Sequence, residues 1–252
     1  MNLKKFLIVF LIAISISNPR AFAEIDWESG IVTASGYADS RDVYKQSQKF
    51  ARRASIIDAQ RKLALYCKEI YEFDLLSDSI KFDADPMYNV LAEDFFDGKY
   101  LVEISIPIYG KNSIASELFP KLISNHKPIP KIDSTILAPD EVESIKKLKF
   151  TALIIDIRGM KFEKSLAPNI YDPVGNLIYG FDYVDVNLAI DRGMVSYSKN
   201  RKDNRAGSNP IIINANNIDD HDIIVTRSDA ERILIANQQS HFLENCNVII
   251  LY

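Results

Sequence analysis

The sequence predicts an α+β protein of two small mixed α/β domains. The first is a strand, a long helix and a β-hairpin; the second is a mixed sheet with a hairpin and a C-terminal helix and strand. Three observations carry this prediction. No proline or glycine interrupts residues 41–70, which leaves room for one long helix after an initial strand. Asp97-Gly98 separates two runs of β-formers, a strong two-residue hairpin signal. Residues 150–180 hold a β-branched apolar run and then a second hairpin around Asp172-Pro173-Val174-Gly175.

Residues 1–23 read as a signal peptide. They carry Lys4 and Lys5, an apolar run over 6–16 and then Ala21-Phe22-Ala23, the small-x-small form that signal peptidases accept. Cleavage is expected after Ala23, with a periplasmic location. The apolar run is shorter than the roughly 20 residues that span a bilayer, and no comparable stretch follows, so no transmembrane helix is expected. No cysteine lies near the cleavage point, so no lipid anchor is expected either. Losing Lys4, Lys5 and Arg20 leaves 27 of the 30 basic residues against 34 acidic ones and moves the formal charge from −4 to −7. A uniformly acidic protein binds nucleic acid poorly, so no nucleic-acid partner is expected.

The first domain is expected over 24–123. Residues 31–38 form its opening strand, with Gly36 as a bulge or a point of close approach. Asp39 or Ser40 caps the helix that runs to about residue 68, and the small residues Ser47, Ala51 and Ala54 mark its packing face. Arg41, Lys45, Lys49 and Arg52 follow at steps of four, four and three, a positive stripe that suits an anionic partner or a solvated face balanced by the acidic stretch 72–97. Asp58 reads either as a buried carboxylate bonded to backbone or as a surface pair with Lys62 at i+4. The hairpin covers 88–96 and 100–108, and an amphipathic segment over 113–122 closes the domain.

Residues 124–149 contain Pro128, Pro130 and Pro139 among many charges and read as a linker with a short helix over 140–147. The second domain, 150–252, opens with a strand over 151–157. Asp156 and Arg158 are two apart and share a face at its end, a ligand-binding candidate or an ion pair that fixes the strand. Beyond the hairpin come a strand over 183–190, a short helix over 193–200 and a basic, flexible loop over 201–207. Strands over 211–215 and 223–226 follow. Ser228-Asp229-Ala230-Glu231 is a capping box for a helix to about 240, and a strand over 248–252 closes the chain.

Chemistry is sparse. There is no Gly-Lys-Ser/Thr triplet, no G-x-G-x-x-G after a strand and no G-x-S-x-G elbow. His126, His221 and His241 form no H-E-x-x-H pair, and Asp219-Asp220-His221-Asp222 lacks the glycine and the distant glutamate of an EF-hand loop. No catalytic residue, metal or cofactor is expected. Cys67 and Cys246 are the two cysteines, which excludes a disulfide scaffold. Export permits a bridge between them, and two buried free thiols are the favoured alternative.

Two stretches look familiar. Gly36-Tyr37-Ala38 followed by Ala51-Arg52, Ala54, Asp58-Ala59 and Arg61 resembles the LPP-type small lipoprotein family and the N-terminal domain of the flagellar assembly protein FlgT. In the second half FTALIIDIRG, SLAPNIYDPVGNLIYG, GMVSY, GSNP, TRSDAERI and FLENCNVIIL resemble exported proteins that carry such a domain and have no established chemistry. The resemblance implies an envelope protein tied to surface structures or a flagellar basal body. The function expected is therefore a non-enzymatic periplasmic binding or assembly factor for an envelope or basal-body protein. The alternative is a small-ligand binder, or an enzyme of unknown reaction, that uses the Asp156/Arg158 strand end and the loop at 201–209. A third reading is a sensor of cell-wall fragments or anionic lipid through the basic stripe.

Overall fold

The computed structural model describes residues 23–39, 48–71, 88–122, 127–132 and 135–252. The fold is α+β with mixed sheets, as the pattern of elements predicts. The chain divides into two compact units: the first runs to Ile108 and takes in Asn112–Ile114, and the second holds Tyr109–Lys111 and Ala115–Tyr252.

In the first unit β1 (Ala23–Asp26), β2 (Ile31–Asp39), β3 (Asn89–Phe96) and β4 (Lys99–Pro107) form an antiparallel sheet in the order β1-β2-β4-β3. The predicted turn joins β3 to β4, with Asp97 at φ 50° and Gly98 at φ 75°, the left-handed pair that a tight hairpin needs. β2 alternates, and Val32, Ala34 and Ala38 are buried with Tyr100, Val102, Ile104 and Ile106 of β4. The helix α1 (Gln48–Tyr71) packs across β2 and β4.

Its packing face is Ala51, Ser55, Ala59 and Leu63, all fully buried. That differs from the expected Ser47, Ala51 and Ala54: Ala54 is half-buried, and Ser47 lies outside the described residues. Spacing by four selects Ser55 and Ala59 because these are the residues that meet Gly36, whose added Cβ would stand 1.8 Å from the Ser55 carbonyl oxygen and 2.8 Å from Ala59 Cβ. Gly36 is thus a point of close approach.

Asp58 combines both of its readings. Among the described residues β1 pairs with β2 as far as Ala34, and beyond it α1 side chains meet the β2 backbone. There Asp58 Oδ2 accepts the Tyr37 N–H at 3.1 Å, and Lys62 Nζ donates to the Ser35 carbonyl at 3.1 Å. Lys62 also lies 2.6 Å from Asp58 Oδ2, and Arg61 3.1 Å from Oδ1. The ion pair therefore supplies one acceptor and one donor to the β2 backbone and ties α1 to that strand. Burial alone would raise the Asp58 pKa, but the bonds from Lys62, Tyr37 and Arg61 hold it below the ordinary carboxylate value. A depressed carboxylate contributes stability above its unfolded pKa of about 3.9 and loses it as pH falls through the lower folded value. The first unit is accordingly expected to weaken in acid below about pH 4, and Asp58→Asn to flatten that limb of a stability-against-pH curve.

The second unit takes in α2 (Ile114–Leu122) from Ala115 onward, with Leu118 and Phe119 buried, and α3 (Pro139–Lys147). Then follow β5 (Ala152–Asp156), β6 (Ile170–Tyr171), β7 (Leu177–Tyr179), α4 (Val186–Arg192), β8 (Val195–Ser198) and β9 (Pro210–Asn214). The unit ends with β10 (Asn217–Asp219), β11 (Asp222–Ile224), α5 (Arg227–Asn237) and β12 (Val248–Leu251). The main sheet is parallel throughout, in the order β8-β12-β5-β9, and a small mixed sheet runs β10-β11-β6-β7. Ala152 to Ile155 and all of β12 are buried, the unbroken apolar run of strands covered on both faces. The predicted hairpin joins β6 and β7, where Asp172 Oδ1 accepts N–H groups of Val174 at 3.0 Å and Asn176 at 2.8 Å.

Four expectations need correction. The strand over 183–190 and the helix over 193–200 are exchanged: α4 and then β8 occupy these stretches. Asp185 caps the helix by accepting the Leu188 N–H at 3.0 Å and Gly193 ends it at φ 83°, so two punctuating residues outweigh the β-like composition between them. The cap of α5 is Thr226, whose Oγ1 accepts the Asp229 N–H at 3.1 Å, two residues ahead of the predicted box. The segment over 113–122 does not close the first domain, since Phe119 packs edge-on against Phe181 at 4.8 Å in the second unit. Nor is all of 124–149 a linker. Glu141 takes the Arg232 guanidinium at 2.7 Å, and Glu231 accepts from Thr135 Oγ1 at 2.6 Å and the Ile136 N–H at 2.9 Å, which fastens α3 and its approach to α5.

Cys246 is a buried free thiol, and burial pushes its pKa up to about 11. The Cys67 side chain lies outside the described residues. No described helix is long and apolar enough to cross a membrane.

Candidate functional site

β5, β12 and β8 run parallel, so Asp156, Leu251 and Ser198 end at the same edge of the sheet. Ligands of open parallel sheets bind outside such carboxyl ends, where loops diverge and side chains converge. After β5 the chain turns at Gly159, φ 86°, and sends Arg158 back over Asp156. Arg158 Nε donates to Asp156 Oδ1 at 2.9 Å and Nη2 to Oδ2 at 2.5 Å, a two-pronged contact, while the Arg158 N–H reaches Oδ1 at 3.2 Å. Arg201 Nη2 stands 3.6 Å from the same Oδ2.

After β8, Ser198 Oγ donates to the Asn200 carbonyl at 2.8 Å, and Asn200 Oδ1 accepts the Lys202 N–H at 2.9 Å. These bonds shape the turn Lys199-Asn200-Arg201-Lys202. Together Arg158, Lys199, Asn200, Arg201, Lys202 and Leu251 line an open depression of about 610 Å³. Next to it Lys164 Nζ lies 3.6 Å from the centre of the Tyr252 ring, a cation–π contact. Tyr197 OH donates to the Ser165 carbonyl at 2.6 Å and accepts the Ser165 N–H at 2.9 Å, which ties this loop to β8.

The electrostatics are one-sided. Four cations line the depression, and Asp156, the carboxylate at this strand end, is spanned by Arg158. The Arg158 bonds hold the Asp156 pKa below the ordinary range, with burial opposing, and Asp156 in turn raises that of Arg158. A general base works best with a pKa near the operating pH, so this carboxylate is suited to fixing an arginine rather than to moving protons.

Asp156 and Arg158 thus meet as predicted, and Arg201 joins them. The stripe residues are elsewhere: Lys49 is exposed on α1, Arg52 Nε is bonded to Glu93 Oε2 at 2.7 Å in the first unit, and Arg41 and Lys45 lie outside the described residues. The predicted ligand loop at 201–209 divides. Arg205 turns inward, donating to the carbonyls of Gly193 at 3.0 Å, Cys246 at 3.4 Å and Arg192, and its burial lowers its pKa. Thr151 Oγ1 pins the rest of the loop by donating to the Ala206 carbonyl at 2.6 Å and accepting the Asn209 N–H at 3.0 Å. Arg201 and Lys202 belong to that predicted loop, whereas Lys199 falls in residues 193–200, which read as a helix; three cations in four residues directly after a strand are the signal that reveals it. Among the described residues no group of three or more histidine, cysteine or acidic side chains is placed to hold a metal.

Comparison with curated proteins finds no match. Residues 152–252 match the family described as Treponema pallidum Tp0624, second domain. The similarity starts at the first residue of β5 and takes in every residue that lines the depression.

Proposed function

We propose that the protein is a non-enzymatic binding protein of the periplasm whose second unit holds an anionic ligand at the carboxyl edge of its parallel sheet. The observation that carries this reading is the set of four cations, Arg158, Lys199, Arg201 and Lys202, that lines one depression in a chain that is acidic as a whole. The signal-peptide pattern of residues 1–23 supports export. The likeness of the first half to LPP-type and FlgT N-terminal domains supports an envelope role, with an outer-membrane or basal-body protein as partner. Enzymatic use of the Asp156/Arg158 strand end is the weaker alternative, since no titrating group is poised there.

Thermal unfolding of the mature protein in sulfate, citrate and tripolyphosphate tests the reading. At low ionic strength at least one anion is expected to raise the midpoint, with the gain fading as sodium chloride is added because exposed charges are screened within about 8–10 Å. Arg201 and Lys202 are exposed, so the double variant Arg201→Gln, Lys202→Gln keeps the fold and loses the gain. If no anion shifts the midpoint, or if the double variant responds as the parent does, the reading fails.

A further inference from the structure

Resting on the anion-binding reading, we propose that the ligand is a multivalent phosphoryl compound gripped by the turn Lys199-Asn200-Arg201-Lys202, with Asp156 acting as a positioning residue for Arg158 and not touching the ligand. Three features of the site lead to this class.

The first is that the carboxylate position is filled from within. Asp156 takes both prongs of Arg158 at 2.5 and 2.9 Å, and an intramolecular group competes at a high effective concentration. A free carboxylate would have to displace it to gain the same contact. A phosphoryl group presents three acceptor oxygens, which Arg201, Lys199 and Lys202 can approach from the depression while Asp156 stays in place.

The second is the choice of cations. Lysine ammonium is a compact point charge that responds to charge density, whereas the guanidinium fork matches planar or tetrahedral oxyanions. Two lysines flanking one arginine within four residues favour a dense, many-oxygen anion over a single planar carboxylate. The third is size. The depression, about 610 Å³, exceeds what one small anion fills, and its open mouth admits a ligand with several phosphoryl groups or one joined to a larger headgroup. Exposure of Arg158 and Arg201, at 53% and 55%, leaves both accessible from that mouth.

Isothermal titration of the mature protein with sodium tripolyphosphate and with citrate, at equal low ionic strength, tests the class. Tripolyphosphate is expected to bind at least about tenfold more tightly than citrate, and Arg201→Gln to weaken it about tenfold, the scale of one charge-assisted contact. Asp156→Asn, which loses the two-pronged hold on Arg158, is expected to weaken tripolyphosphate binding, by less than Arg201→Gln does. Two arms separate a soluble ligand from a lipid headgroup: tripolyphosphate in solution, and co-sedimentation with phosphatidylcholine vesicles with and without phosphatidic acid. Sedimentation only with phosphatidic acid, lost in Arg201→Gln, assigns the phosphoryl group to a lipid; tripolyphosphate binding without sedimentation assigns it to a soluble compound. Citrate binding as tightly as tripolyphosphate overturns the phosphoryl class while the anion-binding reading stands. Failure of every anion overturns both, and tripolyphosphate binding that is unchanged or tighter in a folded Asp156→Asn variant overturns the positioning role.

Discussion

Gly36→Ala is expected to destabilise the first unit by about 3 kcal/mol or more, the upper range for forcing a methyl group into a packed interface. The methyl would lie 1.8 Å from the Ser55 carbonyl oxygen and 2.6 Å from the Ala59 nitrogen, and both are helix backbone that cannot rotate aside. Relief requires α1 to lift from β2. Lifting also parts Asp58 from the Tyr37 N–H and Lys62 from the Ser35 carbonyl, each bond contributing about 1 kcal/mol. The single tryptophan, Trp27, lies in the turn between β1 and β2, so its fluorescence during urea unfolding reports this unit. A midpoint equal to that of the parent would show that α1 does not rest on Gly36.

Arg205→Met is expected to cost the second unit about 3 kcal/mol. Methionine keeps much of the apolar stem but removes the donors that face the carbonyls of Arg192, Gly193 and Cys246. Two of these acceptors are the exit of α4, where carbonyls lack partners within the helix and a cation is favoured. Arg205→Lys should fall between parent and methionine, since one ammonium cannot span the three carbonyls. Near-ultraviolet dichroism of the tyrosines follows this unit, because Tyr179 is buried there with its hydroxyl bonded to the Met194 carbonyl at 2.7 Å. Equal unfolding of all three proteins would mean that solvent satisfies those carbonyls.

Legibility in the sequence followed the range of the interaction. The turns at Asp97-Gly98 and Asp172-Pro173-Val174-Gly175 are decided by residues adjacent in the chain, and both hairpins formed as predicted. Gly36 was legible as a special position because a glycine inside a strand signals close approach. Helix α4 and strand β8 were exchanged because apolar periodicity over seven residues is ambiguous, and only Asp185 and Gly193 decide between them. The candidate site was half legible. Asp156 and Arg158 share a strand end, which spacing reveals, whereas Arg201 and Lys202 reach them only through the neighbouring of β8, β12 and β5. No local pattern encodes that order.

That strand order also governs when the second unit can come into being. β12 lies between β8 and β5, pairing Val248 with both Leu153 and Val195. A chain threaded amino end first through an export channel would bring out β5, β8 and β9 while the place between β5 and β8 stood empty. β5 can pair with β9, but β8 cannot reach β5 across the gap, so closure waits for the arrival of 248–251, and long-range pairing of this kind is slow. In such a passage the sheet would stay open until the last strand emerged, and a chain that stops short of Val248 would hold β5 paired with β9 and leave β8 unjoined, a target for quality control.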